Sequence, residues 1–185
     1  MEGCLSSSIA NLLDAFAIAN LWHRWFSEKE ESLFATEVVA LDRKPVVSSS
    51  CIQITPHCTV AETARTDYLI IPAIVPVPCA RQMQDPRILD YLRRQYSSGA
   101  TLAAVCTGAF LLAETGLLNG KIATTNWQFA KKFRHRYPQV RLAIDNILTE
   151  EDNLICTGAA TAIMNLALKI IKSEGSARLA AACAK

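Results

Sequence analysis

The sequence predicts an α/β fold, a mostly parallel sheet covered by helices on both sides, and three observations carry that prediction. Residues 67–72, from Asp67 through Leu69 and Ile71 to Pro72, form a short continuous apolar run, as in a strand buried on both faces of a parallel sheet. Residues 101–116 pass from strand formers through Cys106 and Gly108 into helical spacing at Phe110, Leu111, Ala113 and Glu114. Strand-like and helix-like segments then alternate, with short loops, through the rest of the chain. With 185 residues, 51% hydrophobic and 19% charged, one packed domain over residues 1–185 is expected.

The first helix is predicted over residues 6–26. Ser6, Ser7 and Ser8 offer an N-cap, and Ile9, Leu12, Leu13, Phe16, Ala17, Asn20 and Leu21 recur at helical spacing. Residues 27–32 are a charged connection, residues 34–41 read as a strand and residues 42–45 as a turn. Short strand pieces at 46–47 and 51–54 flank the serines at 48–50, and residues 59–66 are either a short helix or plain connection. After the 67–72 strand comes an irregular loop, 73–85, with prolines at 76 and 78. Asp85 caps a helix that opens with Pro86, shows Ile88, Leu89, Leu92 and Tyr96 on one face, and ends before Gly99.

Past residue 116, a turn at 117–120 leads to a strand piece at 121–123. Thr125 or Asn126 then caps a helix through Trp127, Ala130, Phe133 and Arg134 that stops at Pro138. Residues 142–148 and 154–156 form a small β-hairpin around an acidic turn at 150–153. A helix over 160–172 places Ile163, Leu166, Ala167, Ile170 and Ile171 on one face. Gly175 breaks it, and an alanine-rich helix over 176–184 follows. No internal repeat is present.

Composition excludes several function classes. A net charge of +2 is too small to mark a nucleic-acid or membrane surface. No uncharged apolar run approaches the roughly 18–20 residues of a membrane span. Met1-Glu2-Gly3-Cys4 lacks the basic segment and apolar core of a signal peptide, so a soluble cytoplasmic chain is expected. The seven cysteines (Cys4, Cys51, Cys58, Cys79, Cys106, Cys156, Cys183) are odd in number and scattered, without C-x-x-C. None of His23, His57 and His135 is spaced with them as zinc requires. Reduced, mostly buried thiols and no metal are therefore expected.

Three further clusters have structural readings. The basic run Lys131, Lys132, Arg134, His135 and Arg136 reads as a solvated helix face, with Phe133 and Trp127 on the buried side. Glu150, Glu151 and Asp152 lack the ligand spacing of a calcium loop. Trp22, Trp25 and Phe26 could line a ligand pocket or a dimer contact, a core seam being the commoner outcome.

Residues 101–116 have the layout of a nucleophile elbow, in which the residue at a strand-to-helix bend is held in a strained conformation at the top of a sheet. Such a bend needs small residues two positions before and after the nucleophile, and Ala104 and Gly108 supply them. The stretch Ala104-Val105-Cys106-Thr107-Gly108-Ala109-Phe110-Leu111-Leu112-Ala113, with Gly116 to Gly120 and Ala123-Thr124-Thr125-Asn126-Trp127 after it, resembles the DJ-1/PfpI (class I glutamine amidotransferase-like) superfamily. More narrowly, it is similar to the N-terminal domain of AraC-type transcription regulators, and Ile155-Cys156-Thr157-Gly158-Ala159 resembles their closing segment.

The resemblance implies a flavodoxin-like three-layer sandwich with a small hairpin. It also implies a strand ahead of the first helix, for which only Met1-Glu2-Gly3 remain, and a C-terminal helix-turn-helix domain beyond Lys185. The expected partners are a small-molecule effector and a second copy, with DNA bound only through that C-terminal domain. No cofactor and no membrane contact are expected.

The resemblance also locates the catalytic parts, and three of them depart from the family pattern. The family's histidine follows Ala-Thr-Thr; here Asn126 stands there, and an amide cannot take a proton from a thiol. The family's oxyanion amides come from Gly-Gly; here the residues are Ala73 and Ile74, whose backbone could still donate. The first loop offers Cys4, Leu5 and the serines, with Glu2 the nearby carboxylate. Members of a catalytic unit fail together, so no enzyme activity is expected. The reading is a ligand-sensing module whose site comprises Cys106, Thr107, Asn126, Ile74 and Cys4. A cysteine-dependent hydrolase, hydratase or amidase with Cys106 as nucleophile is the alternative. Cys106 as a small buried hydrophobe or as a redox-sensing thiol also stays open.

Overall fold

The computed structural model describes residues 2–27, 30–75 and 83–185. Along the chain its elements are α1 (Ser7–Ser27), β1 (Val39–Ala40), β2 (Val46–Val47), β3 (Gln53–Ile54), β4 (Cys58–Thr59) and β5 (Tyr68–Ile71). They continue with α2 (Pro86–Ser97), β6 (Thr101–Val105), α3 (Gly108–Glu114) and β7 (Ile122–Ala123). A 3-10 turn (Trp127–Phe129) then leads into α4 (Ala130–Arg136), β8 (Arg141–Leu142), β9 (Leu148–Glu151), β10 (Leu154–Thr157), α5 (Ile163–Glu174) and α6 (Ala177–Cys183).

The central sheet has the order β5-β6-β10-β9, parallel except where β9 returns antiparallel to β10. Strand alternation sends successive side chains to opposite faces. Leu102, Ala104, Leu154 and Cys156 therefore join one core with Leu89 and Leu92 of α2, Phe110 and Leu112 of α3, and Phe133 of α4. Ala103, Val105 and Ile155 join the other, with Leu12 and Phe16 of α1, Leu166 and Ile170 of α5, and Leu179 of α6. The result is the expected three-layer α/β sandwich. Short pairs, β1 with β4, β2 with β3, and β7 with β8, lie outside the main sheet.

Local signals placed the helices well. Asp85 caps α2 by accepting from the Arg87 amide, with Pro86 in the first position. Ser176 caps α6 through the Leu179 amide. The strand expected over 34–41 shrinks to β1, because Phe34 exchanges both backbone bonds with the Asn20 carboxamide at 2.8 Å rather than with a neighbouring strand. Residues 60–62 are a turn after β4, closed by the Glu62 and Thr63 amides donating to the Thr59 carbonyl. The hairpin is shifted: Glu150 and Glu151 lie in β9, not in the turn, and Asp152 (φ 53°) and Asn153 connect Glu151 to its partner Leu154. Residue 142 belongs to β8, which pairs with β7 instead. The helix expected from 160 starts at Ile163 as α5. The proline-bearing loop, with Cys79, falls largely outside the described residues, as do two residues of the 27–32 connection and Met1.

Among the described residues six cysteines are free: Cys4, Cys106 and Cys156 are buried, Cys58 and Cys183 half-buried, and Cys51 exposed. The expectation of mostly buried thiols thus holds for half of them. Lys131, Lys132, Arg134 and His135 are exposed as expected, but Arg136 turns inward to pair with Glu114, and Trp127, expected on the buried side with Phe133, is 71% exposed. Each acid of the 150–152 run has its own cation, Lys169, Arg141 and Lys121 in order.

Candidate functional site

β6 ends at Val105, and Cys106 takes φ 55°, a left-handed conformation that costs a non-glycine residue on the order of 1 kcal/mol. Neighbouring backbone and two threonines hold it there. The Cys106 amide donates to the Thr157 carbonyl at 2.9 Å, and the Thr125 hydroxyl donates to the Cys106 carbonyl at 2.8 Å. Gly108 opens α3 against the end of β5, where an added Cβ would lie 2.7 Å from the Pro72 carbonyl oxygen and 2.9 Å from that of Ile71. This close approach leaves no room for a side chain, so the bend requires glycine at 108.

Four of the five expected ligand residues meet in one buried knot. The Thr107 hydroxyl donates to the Ile74 carbonyl at 2.8 Å and accepts from the Ile74 amide at 2.9 Å. Cys4 bridges Ile74 in antiparallel fashion, flanked by bonds from Leu5 to Ala73 and from Val75 to Gly3. Residues 3–5 thus supply, as a single bridge, the edge where a first strand was expected. Cys106, Thr107, Cys4 and Ile74 are all buried. Asn126 is half-buried, follows Thr125 directly, and uses its side-chain oxygen to cap the 3-10 turn through the Gln128 amide.

Of the two amides expected to serve an oxyanion, those of Ala73 and Ile74, the Ile74 amide is engaged within the protein, as are those of neighbouring Val75 and Cys106. Ile74 donates to Thr107, Val75 to Gly3, and Cys106 to Thr157. Nor do the histidines gather here. His57 accepts from the Val38 amide through Nδ1, His23 lines a cleft beside α6, and His135 is exposed on α4. Glu2 is exposed in the turn before Cys4. Burial pushes the Cys4 thiol up from its ordinary range and the Cys156 thiol to about 12, so both stay neutral. Among the described residues no His, Cys, Asp and Glu groups converge as a metal site.

Sequence reasoning missed Thr125 and Thr157, the two residues that fix the Cys106 backbone. The signal was their position: each stands at or just past a strand end, where a buried hydroxyl needs a backbone partner. Two clefts lie away from the elbow. One, of about 460 Å³, is lined by Gln84, Glu114, Asn119, Arg136, Tyr137 and Gln139. There Arg136 and the Tyr137 hydroxyl both satisfy the Glu114 carboxylate. The other, of about 300 Å³, lies between α1 and α6.

The elbow between β6 and α3, set in a parallel three-layer sandwich, defines a class that the comparisons name: residues 24–173 match the DJ-1/PfpI family, and the chain belongs to it. It is 28% identical over 182 residues to the HTH-type transcriptional regulator CdhR of Pseudomonas aeruginosa, covering 97% of this chain and 50% of that protein. It is 30% identical over 130 residues to isonitrile hydratase of Pseudomonas putida, covering 70% of this chain and 54% of that protein. An AraC family transcriptional regulator from Pseudomonas putida shares the fold with a TM-score of 0.82 at 19% identity, covering 99% of this chain and 93% of that one. The chain thus spans about half the length of the relatives it matches. Among the described residues no helix is long and apolar enough to cross a membrane.

Proposed function

We propose that this chain is the ligand-sensing and dimerising part of an AraC-type transcription regulator of the cytoplasm, with sequence-specific DNA binding carried by a C-terminal helix-turn-helix domain. One observation carries the non-catalytic part of this reading. At the elbow the backbone amides of Ile74, Val75 and Cys106 are engaged by Thr107, Gly3 and Thr157, and Asn126 occupies the position of the family's base. A thiol so placed lacks the histidine that serves as base in the family, and three of the amides around it are withdrawn from an oxyanion. Similarity to CdhR over nearly the whole chain supports the regulator assignment.

The effector is a small metabolite that reads the knot of Cys106, Thr107, Ile74 and Cys4 from the side where Asn126 is half-exposed. This is the carboxyl end of the parallel strands, where α/β sheets bind ligands. The test is a thermal-shift screen of small polar metabolites on the wild type and on Cys106→Ala. A compound that raises the melting temperature of both proteins, and is recovered unchanged, supports sensing.

A cysteine-dependent hydratase, hydrolase or amidase is the second reading, favoured by the strained conformation retained at Cys106 and by the similarity to isonitrile hydratase. Turnover abolished in Cys106→Ala would establish it in place of the first.

A further inference from the structure

The larger cleft, of about 460 Å³, is separate from the elbow. Glu114, the last residue of α3, lies in its wall, roughly 10 Å along that helix from Gly108. A carboxylate is disfavoured at this place twice over. The helix dipole opposes negative charge at a C-terminus, and the Glu114 side chain is only 10% exposed, so burial opposes the charge as well. Two groups hold it there. Arg136 pairs with Oε1, and the Tyr137 hydroxyl donates to the same oxygen at 2.6 Å. Among the described residues the other oxygen, Oε2, receives only the Gln84 carboxamide, at 3.4 Å.

Arg136 is short of acceptors. A guanidinium carries five N–H donors in a fixed fork. Here Nη2 is buried without a hydrogen bond, its contact with Glu114 being an ion pair alone, and the remaining donors have no partner among the described residues. The guanidinium is nonetheless held in place, with its carbon over the Tyr137 ring at 5.5 Å from the centroid. One wall of the cleft thus sets an acceptor, Oε2, beside donors that lack acceptors, in a space of the size that small ligands fill.

We propose that this cleft binds a small planar molecule with a neutral donor–acceptor edge, of the primary carboxamide class. Its carbonyl accepts from the Arg136 guanidinium, and its NH2 group donates to Glu114 Oε2. Charge balance selects a neutral ligand. Glu114 and Arg136 already compensate each other, so an anion or a cation would bring an uncompensated charge against a mostly buried pair. Ala113 and Pro138 offer apolar surface to the rest of such a molecule, and Asn119 and Gln139, both exposed, stand at the rim. None of Cys106, Thr107, Ile74, Cys4 and Asn126 lines this cleft, so the site is independent of the role proposed for the elbow.

Three probes of one shape and different charge test it: benzamide, benzoate and benzamidine. Each is titrated at neutral pH into the isotope-labelled protein and followed by amide NMR spectra. Benzamide offers a donor next to an acceptor, benzoate only acceptors, and protonated benzamidine only donors. Benzamide should bind with a dissociation constant on the order of 1 mM, the range open to a molecule of its size, and shift the signals of Gly116, Asn119 and Gln139. Benzoate and benzamidine should bind roughly tenfold more weakly or worse. Glu114→Gln leaves Arg136 uncompensated, and that variant should prefer benzoate. Should it fail to fold, Gln139→Trp, at an exposed position, fills the rim and should weaken benzamide roughly tenfold, with an unchanged circular-dichroism spectrum. No saturation by about 20 mM, or three probes bound alike, overturns the site. So do benzamide shifts confined to Thr107 and Asn126, which would assign the ligand to the elbow instead.

Discussion

Gly108 sets the geometry of the elbow more firmly than Cys106 does. A side chain at 108 would meet two backbone carbonyl oxygens, at 2.7 and 2.9 Å, and neither can rotate away. Gly108→Ala is therefore expected to cost about 3 kcal/mol or more, by forcing α3 off the end of β5. A drop of that size in urea-unfolding stability checks it; an unchanged midpoint would show that the approach relaxes freely. Thr107 illustrates the opposite use of a small residue. Its hydroxyl answers both backbone groups of Ile74, tying the loop after β5 to the first turn of α3. A group buried this deeply must find partners, and finding them removes the Ile74 amide from any role toward a ligand.

At the level of elements, capping signals proved legible and strand lengths did not. Asn126, read in the sequence as one of two possible caps, performs that role through its side-chain oxygen. Asn126→Ala should cost about 1 kcal/mol, with Asn126→Asp losing much less, as thermal melts of the two variants would show. Strands were misjudged where backbone groups found partners outside the main sheet. Phe34 bonds to Asn20, so the ladder of its segment is confined to Val39 and Ala40, which pair with β4. Residue 142 pairs with β7, so the hairpin starts at Leu148 instead. Hydrophobic alternation alone cannot see either competitor, because both lie far along the chain.

Across the whole molecule, the two cores meet through one sheet whose middle strands, β6 and β10, are buried on both faces. That burial makes stability sensitive to alkali. The Cys156 thiol is pushed up to about 12 by burial, and the Tyr68 hydroxyl to about 12 by burial and its bond to Glu174. Both groups are neutral when protonated and release protons more readily once unfolded. Stability is therefore fully present below their ordinary values, about 8.5 and about 10. It should fall as pH rises from there toward 12, by up to about 1.4 kcal/mol per pH unit for the fully buried thiol. Urea unfolding at neutral pH and at steps above pH 9 measures the slope. Cys156→Ala should flatten it, and an equal slope in the variant would remove Cys156 as its source.

The tetrapeptide Cys-Thr-Gly-Ala occurs twice, at 106–109 and 156–159, and it shows where sequence stops and tertiary structure begins. The chain by itself determined the alternation of strands and helices, the capped helix starts and the elbow at Cys106. Those follow from local periodicity and turn chemistry. Packing decided that the first copy bends while the second stays extended through Thr157 in the register Thr157 to Val105. It also decided that Trp22 and Trp25 face outward rather than into a core seam. The physical reason is the same in each case. Which partner satisfies a backbone amide, or covers an apolar face, depends on segments brought close only by the fold. At the elbow those segments are residues 3–5, the threonine pair ending at Thr125, and the end of β10.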